Sequence, residues 1–389
     1  MTELAAIRAQ FPALAHKRYF NYGGQGPLPE PALEAIQTTY RHLQVTGPFS
    51  GQALDWVSQM VAQTRAAIAQ ELGAPPATFT LTDSVTSGCN IALWGLDWHP
   101  GDHLLLSDCE HPGVIATAQQ LHRRLGVELS TCPILATLNQ GDPIATVIEA
   151  LQPRTRLVVL SHILWNTGQV LPLGELMVAC RQHHPNILFL IDAAQSVGVL
   201  PLNLAQLGAD FYAFTGHKWW CGPDGVGGLY VNPAILDQVQ PTYIGWRGIE
   251  TNASGQPTGW KPDSRRFEIA TTAYPLYTGL KAALDLHPQG GTAAERYQRI
   301  LQLSQQLWTG LATISGVTCL RTTPPESGLI SFQIAGWDCR QAVQHLEKRS
   351  FHLRVIAHPY CIRACTHYLT QPDEIMALIA AIQALVSKR

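Results

Sequence analysis

Residues 187–231 read ILFLIDAAQSVGVLPLNLAQLGADFYAFTGHKWWCGPDGVGGLYV, and three apolar runs in them decide the fold: ILFLID at 187–192, ADFYAF at 209–214 and VGGLYV at 226–231. Each has strand length, none alternates as a half-exposed strand would, and Gly, Pro and Asp punctuate the gaps. That pattern belongs to strands buried on both faces. Between the second and third runs stands TGHKWWCG at 215–222, where Lys218 is set among Thr215, His217, Trp219, Trp220 and Cys221. An unpaired ammonium is expensive to bury and usually neutralises instead. Three arrangements compensate it: an ion pair, an exposed loop, or a covalent bond from the amine to a cofactor carbonyl.

Working outward, further apolar runs alternate with helix-periodic stretches. TFTLT at 78–82, HLLLS at 103–107 and RLVVLSHI at 156–163 read as strands, and SGCNIALWGL, PGVIATAQQLHRRLG and GELMVACRQHH as the helices that follow them. This alternation predicts an α/β fold with a mostly parallel sheet covered on both faces. Residues 242–268, TYIGWRGIETNASGQPTGWKPDSRRFE, are rich in Gly, Pro and polar residues and read as a long irregular excursion, functional or at an interface. Beyond it, AAERYQRILQLSQQLWTGLATI, CRQAVQHLEKR and EIMALIAAIQALVSK have amphipathic helix spacing, and VTCLR and LISFQIAG read as strands of a smaller α+β domain. The expected organisation is an N-terminal segment, 1–25, packing on the small domain, a large cofactor-binding domain, 26–260, and a hinge with the small C-terminal domain, 261–389.

With 389 residues, 46% hydrophobic and 14% charged, at net charge −2, the chain has ample material for a core. A near-neutral balance without a basic run argues against nucleic acid or an anionic membrane as a partner held by charge. Glu3 and the absence of an apolar core of signal-peptide length, with no run of 18 uncharged apolar residues anywhere, predict a cytoplasmic protein without a membrane span. Nine cysteines, an odd number scattered over a long chain, suit reduced thiols.

Asp192 ends ILFLID and Lys218 follows just past the next strand, so a parallel sheet places both at its carboxyl edge, where open α/β sheets bind ligands. On spacing alone they serve equally as a structural ion pair. Ser84, Val85, Thr86 and Ser87 sit where a strand gives way to a helix, as a capping turn or as a phosphate site. His111, in DCEHPG, is a capped loop histidine or a ring stacked on a flat ligand. Together the pieces match one cofactor, pyridoxal phosphate, with its aldehyde for Lys218, its ring nitrogen for Asp192, its phosphate for the helix terminus, and Thr215 and His217 as hydrogen-bonding partners.

On these residues the sequence resembles the class V aminotransferases, a group of fold type I pyridoxal-phosphate enzymes that includes the cysteine desulfurases. The likeness runs from YFNYGGQGPLP, which contains Gly23, to RVIAHPYCIRAC, and is most specific over IDAAQSVGVLPLNLAQLGADFYAFTGHKWWCGPDGVGGLYV. It implies a seven-stranded large domain and assigns Asp192 to the pyridinium nitrogen, Gln195 to the phenolic oxygen, Lys218 to the Schiff base, and Thr215 with His217 to the phosphate. The phosphate turn stands as Ser84, Val85 and Thr86, and the ring-stacking histidine as His111. RFEIATT resembles the family's R-F-E-x-G-T, with Ala270 for its glycine and Thr271 reaching the phosphate of a neighbouring subunit, which implies a homodimer with shared active sites. Relatives carry an asparagine at the position of Trp165, while Asn166 comes one residue later, so Asn166 is the candidate for that cofactor contact.

In such a site the protein selects which bond breaks at the substrate's α-carbon. Lys218 is the candidate general base and His111 a second catalytic group. Arg363 in CIRAC occupies the family's carboxylate position with Arg354 nearby; a surface role is the alternative for either. Gly23 is placed with them at the substrate. Desulfurases use a mobile-loop cysteine as nucleophile, but RVIAHPYCIRAC is short and its nearest thiol, Cys361, lies two residues before Arg363. The expected reaction is therefore β-elimination from cystine or cysteine, giving pyruvate, ammonia and persulfide or sulfide, as in the cyanobacterial-type cysteine/cystine carbon–sulfur lyase branch. A persulfide anion leaves better than hydrosulfide. Such sulfur would go to an acceptor protein, for instance in iron–sulfur cluster assembly. One alternative is a desulfurase using Cys361; another is a metal-binding or sulfur-carrier protein using His358, Cys361, Cys365 and His367, which lie too close together for separated zinc knuckles.

Overall fold

The computed structural model describes residues 3–387, so the outermost ends of the first and last expected domain ranges, 1–2 and 388–389, lie outside it. Its main sheet has seven strands in the order Phe79–Thr82, Gly227–Val231, Phe211–Thr215, Leu188–Asp192, Thr155–Ser161, His103–Ser107, Glu128–Cys132. The last five are mutually parallel; Gly227–Val231 runs antiparallel to both its neighbours. Successive side chains of a strand point to opposite faces, and the core divides accordingly. Val158, Leu160, Phe189, Ile191, Tyr212 and Phe214 pack with helices Gly51–Leu72, Leu173–His183 and Tyr274–Leu286. Leu157, Val159, Leu190, Phe211 and Ala213 pack on the other face with Val85–Gly95 and Pro112–Leu125. Continuous apolar runs were the sign of this two-sided burial, each large side chain contributing about 1.5–3 kcal/mol.

The second layer is a four-stranded antiparallel sheet, Val317–Cys319, Leu329–Ile334, Cys361–Cys365 and Arg354–Ile356, covered by Ala293–Ala312, Cys339–Glu347 and Pro372–Val386. Arg18–Tyr19 pairs in parallel with Phe351–His352, and Phe20 enters the same core. Three details add to the sequence reading. Within the expected hinge and small-domain range, Tyr274, Tyr277, Leu280 and Leu284 pack in the core of the large layer, and the 3-10 turn His287–Gly290 follows them. The strand Glu128–Cys132 was not read, since its polar ELSTC sequence suits a sheet edge. Within 242–268 a hairpin, Ile249–Thr251 with Pro257–Trp260, replaces part of the irregular excursion. Among the described residues no helix is long and apolar enough to cross a membrane.

Candidate active site

At the carboxyl edge of the parallel strands lies a cavity of about 260 Å³ lined by Gly23, Ser84, Val85, Thr86, His111, Ser161, Trp165, Asp192, Gln195, His217, Lys218, Arg354 and Arg363. Asp192 is buried at its strand's end, where its Oδ1 accepts the Ala194 amide (2.9 Å), leaving Oδ2 for a ligand. Lys218 is half-buried. Burial lowers its amine to about pKa 8; nearby Asp192 opposes that shift, while Arg363 and Arg354 add to it. The amine thus reaches its neutral form, the one that attacks carbonyls and accepts protons, around and above pH 8 rather than above its ordinary value of 10.5.

Helix Val85–Gly95 points its N-terminus at the cavity. Ser84 caps it by accepting the Ser87 amide (3.2 Å), and the amides of Val85 and Thr86 have no intrahelical acceptor, which makes a ready anion site. His217 lines the same cavity and is oriented by Thr215, whose hydroxyl lies 2.7 Å from its Nδ1. His111 caps the next helix through Nδ1, which accepts the Gly113 amide (3.2 Å), so the ring's proton is on Nε2. Burial, and to a lesser degree Lys218 and Arg354, lower its pKa, against an opposing pull from Asp192. Gln195 is fixed at both ends, Nε2 donating to the Gly23 carbonyl and Oε1 accepting the Trp219 indole, each at 2.9 Å.

Arg363 is 1% exposed. Its Nη1 donates to the Trp165 carbonyl (2.6 Å), but Nε and Nη2 are buried without a partner. A buried cation with unmade hydrogen bonds is costly, and a ligand carboxylate would satisfy both nitrogens at once. Gly23 permits this close approach: a Cβ there would lie 2.9 Å from Arg363 Nη2 and from Gln195 Oε1. Arg354 is the cross-strand partner of Arg363 and is exposed at the cavity.

Three of the residues assigned to the cofactor by resemblance do not line this cavity. Thr215 acts on it through His217. Asn166 is 1% exposed and donates through Nδ2 to the His358 carbonyl (3.2 Å), while Trp165 forms the wall and sets its ring edge-on to His111 at 5.8 Å. The one-residue offset gives the cavity position to the indole, while Asn166 Oδ1 is buried without a partner. Thr271 is exposed and lines a separate groove of about 890 Å³ with Thr82, Ser87, Tyr243 and Arg247. Cys361 is fully buried within its strand, and burial raises its thiol to about pKa 11, so it is neither on a mobile loop nor a thiolate. The His358/Cys361/Cys365/His367 set does not assemble, and among the described residues no group of three or more His, Cys, Asp or Glu is placed to hold a metal ion.

Sequence reasoning missed Glu110. It is buried beside the site, accepting Ser107 Oγ (2.5 Å), the Ser161 amide (2.9 Å) and Ser161 Oγ (2.8 Å). Its only sequence signals were adjacency to His111 and Ser107 three residues before it; Ser161, which supplies the other two hydrogen bonds, is 51 residues away. Burial, with Asp192 adding, raises its pKa from 4.5 to about 8 against the serine hydrogen bonds. The folded protein therefore keeps a proton that the unfolded chain loses between these values, so its contribution to stability is greatest below 4.5 and falls as pH rises to about 8. Glu110→Gln is expected to remove that decline, worth a few kcal/mol at about 1.4 per unit of displacement. Thermal unfolding of both forms across this range measures it; parallel pH curves would refute it.

This fold with this site defines a family: the chain belongs to the class-V aminotransferases, with the match covering residues 18–372. It is similar to C-DES, a cystine C-S lyase solved in complex with its reaction product cysteine persulfide, at 54% identity and a TM-score of 0.94 over 96% of this chain and 99% of that one. A lysine-to-alanine mutant of C-DES, with glycine covalently linked to the PLP cofactor, matches at 53% identity and a TM-score of 0.95 over 97% and 98% of the two chains. The isopenicillin N epimerase of Streptomyces clavuligerus is 29% identical over 386 residues, 95% of this chain and 94% of its own. The cysteine desulfurase of Escherichia coli O127:H6 is 28% identical over 398 residues, 96% and 93% of the two.

Proposed function

We propose that this protein is a pyridoxal-phosphate-dependent carbon–sulfur lyase that cleaves cystine, and cysteine less readily, by β-elimination. The donor set fits the cofactor. The free amides of Val85 and Thr86 with His217 would hold its phosphate, the open oxygen of Asp192 its ring nitrogen, Gln195 its phenolic oxygen, His111 one face and Lys218 its carbonyl carbon. When bound, it supplies a sink for the electron pair left on the substrate's α-carbon.

The chain's own residues do the rest. Arg363 takes the α-carboxylate with its two unpaired nitrogens and so fixes the substrate's orientation. The Lys218 amine, neutral in a large fraction near pH 8, accepts the α-proton. Asp192 would present its open Oδ2 to the ring nitrogen. Arg354, at the cavity mouth, is placed for the second carboxylate that cystine has and cysteine lacks. Breaking the Cβ–S bond sends the electron pair to sulfur, and water completes the balance to pyruvate, ammonia and cysteine persulfide. One observation carries the choice of elimination over desulfuration: among the described residues no cysteine lines the cavity, and Cys361 is sealed in a strand.

We further infer that the active unit is a homodimer. Tyr243, Ile244 and Trp246 are 77%, 55% and 51% exposed near the Thr271 groove, an apolar surface suited to a second copy, with Thr271 reaching the partner's phosphate site. A cytoplasmic protein passing persulfide sulfur to an acceptor, as in iron–sulfur cluster assembly, is the setting this chemistry fits. Product analysis tests the reaction. With cystine the purified holoenzyme is expected to form pyruvate and persulfide in equal amounts, and Cys361→Ala to do the same. Alanine as the main product, or loss of sulfur release in Cys361→Ala, would establish a desulfurase instead.

A further inference from the structure

Lys218 stands in a loop whose carbonyls are all taken by donors. The Gly216 carbonyl accepts the Gly222 amide (2.9 Å), that of His217 the Gly26 amide (2.7 Å), and that of Lys218 the Cys221 amide (3.0 Å). The next two are taken by imidazoles: His367 Nε2 lies 3.1 Å from the Trp219 carbonyl and His287 Nε2 3.0 Å from that of Trp220. A carbonyl only accepts, so both rings carry their proton on Nε2. Their other nitrogens agree, since Nδ1 of His287 accepts the Tyr368 hydroxyl (3.1 Å) and Nδ1 of His367 the Leu369 amide (3.3 Å).

Both rings are thus fully satisfied as neutral imidazoles, and both are buried, at 2% and 0% exposure for His287 and His367. Burial holds His287 down at about pKa 3 and His367 well below the ordinary range. An apolar ring would fill the same space without the cost of burying polar nitrogens, so the bonds to the two carbonyls account for histidine here. The placement links three parts of the site. His287 opens the 3-10 turn between the two layers, and His367 stands two residues past the end of the strand Cys361–Cys365 that carries Arg363. Tyr22 stacks on the His367 ring at 4.4 Å and 12°; the neighbouring Gly23 is bonded to Gln195, and Gln195 to the indole of Trp219.

We propose that His367 and His287 are positioning residues for Lys218: they fix the two carbonyls that follow it, set the direction in which its amine is presented, and through His367 hold that amine in register with Arg363. The inference rests on the reading of Lys218 as the base. It also assigns a role to one member of the His/Cys set that forms no metal site.

The amide of glutamine reaches about as far as Nε2 of histidine, whereas that of asparagine reaches only as far as Nδ1. In holoenzyme acting on cystine, His367→Phe and His367→Asn are expected to lose about 10- to 100-fold in kcat at nearly constant KM, and His367→Gln to stay within about threefold of wild type. In the apo protein, the 13C signal of dimethylated Lys218, assigned by its absence in Lys218→Arg, is expected to titrate at a displaced midpoint in the Phe and Asn variants but not in Gln. If His367→Phe does not fold, His287→Gln against His287→Asn makes the same comparison at the second carbonyl. Glutamine no better than the other substitutions, or an unmoved lysine titration throughout, overturns the proposal. Failure of the lyase reading would appear differently, as wild-type enzyme forming no pyruvate from cystine, and leaves the lysine titration as an independent readout.

Discussion

Lys218→Ala is expected to fold, to bind pyridoxal phosphate non-covalently, and to turn over cystine about 10³–10⁴-fold more slowly than wild type, as removal of a positioned base and nucleophile requires. The fold should survive because the lysine is a burden on it. Its pKa is lowered from 10.5 to about 8, so below about 8 the native state carries an ammonium that its surroundings disfavour, and alanine removes that cost. Thermal unfolding at pH 7 should show the variant at least as stable as the wild-type apo protein. Borohydride reduction followed by peptide mapping should label position 218 in wild type alone. A variant within tenfold of wild-type kcat would place the base elsewhere, with His111 the next group at the cavity.

The sheet was legible because its central strands are buried on both faces: ILFLID, RLVVLSHI and HLLLS leave nothing but a buried strand of that length. Glu128–Cys132 and the hairpin at 249–260 were not, because an edge or a solvated ribbon needs no apolar run and leaves only weak propensity to read. The same division holds in the site. Residues at strand ends and helix starts, such as Asp192, Lys218, Val85 and Thr86, announce themselves by position along a single element, and the structure collects them in one cavity. Residues whose role depends on a tertiary contact do not. Glu110 is held by serines from two strands, Trp165 takes the wall position by an offset of one residue, and His367 meets the Lys218 loop across a separation of 148 residues. Sequence spacing put His367 with Cys361 and Cys365 because they are close along the chain; folding sends the imidazole to a backbone carbonyl and the thiols into the core.

The second large effect is expected at Arg363, and its sign differs between stability and activity. In the free protein the guanidinium is buried with only Nη1 bonded, so its desolvation is poorly compensated. Arg363→Leu should therefore leave the apo protein as stable or more stable, whereas kcat/KM for cystine should fall about 10²–10³-fold, the loss that goes with removing one partner of a desolvated, hydrogen-bonded charge pair. Arg363→Lys keeps the charge but not the fork, and one ammonium cannot reach the positions of both Nε and Nη2, so it should recover only a minor part of the activity. Ligand-induced stabilisation separates binding from chemistry: glycine, whose carboxylate is the α-carboxylate alone, should raise the unfolding temperature of wild-type holoenzyme and not that of Arg363→Leu. If Arg363→Leu kept wild-type kcat/KM, or if glycine stabilised it as well as wild type, the carboxylate would have to be held by Arg354, the remaining cation on the adjacent strand. An exposed arginine in that role would bind its anion in competition with water and salt. The unpaired nitrogens of Arg363 face no such competition, which is why the larger effect is expected there.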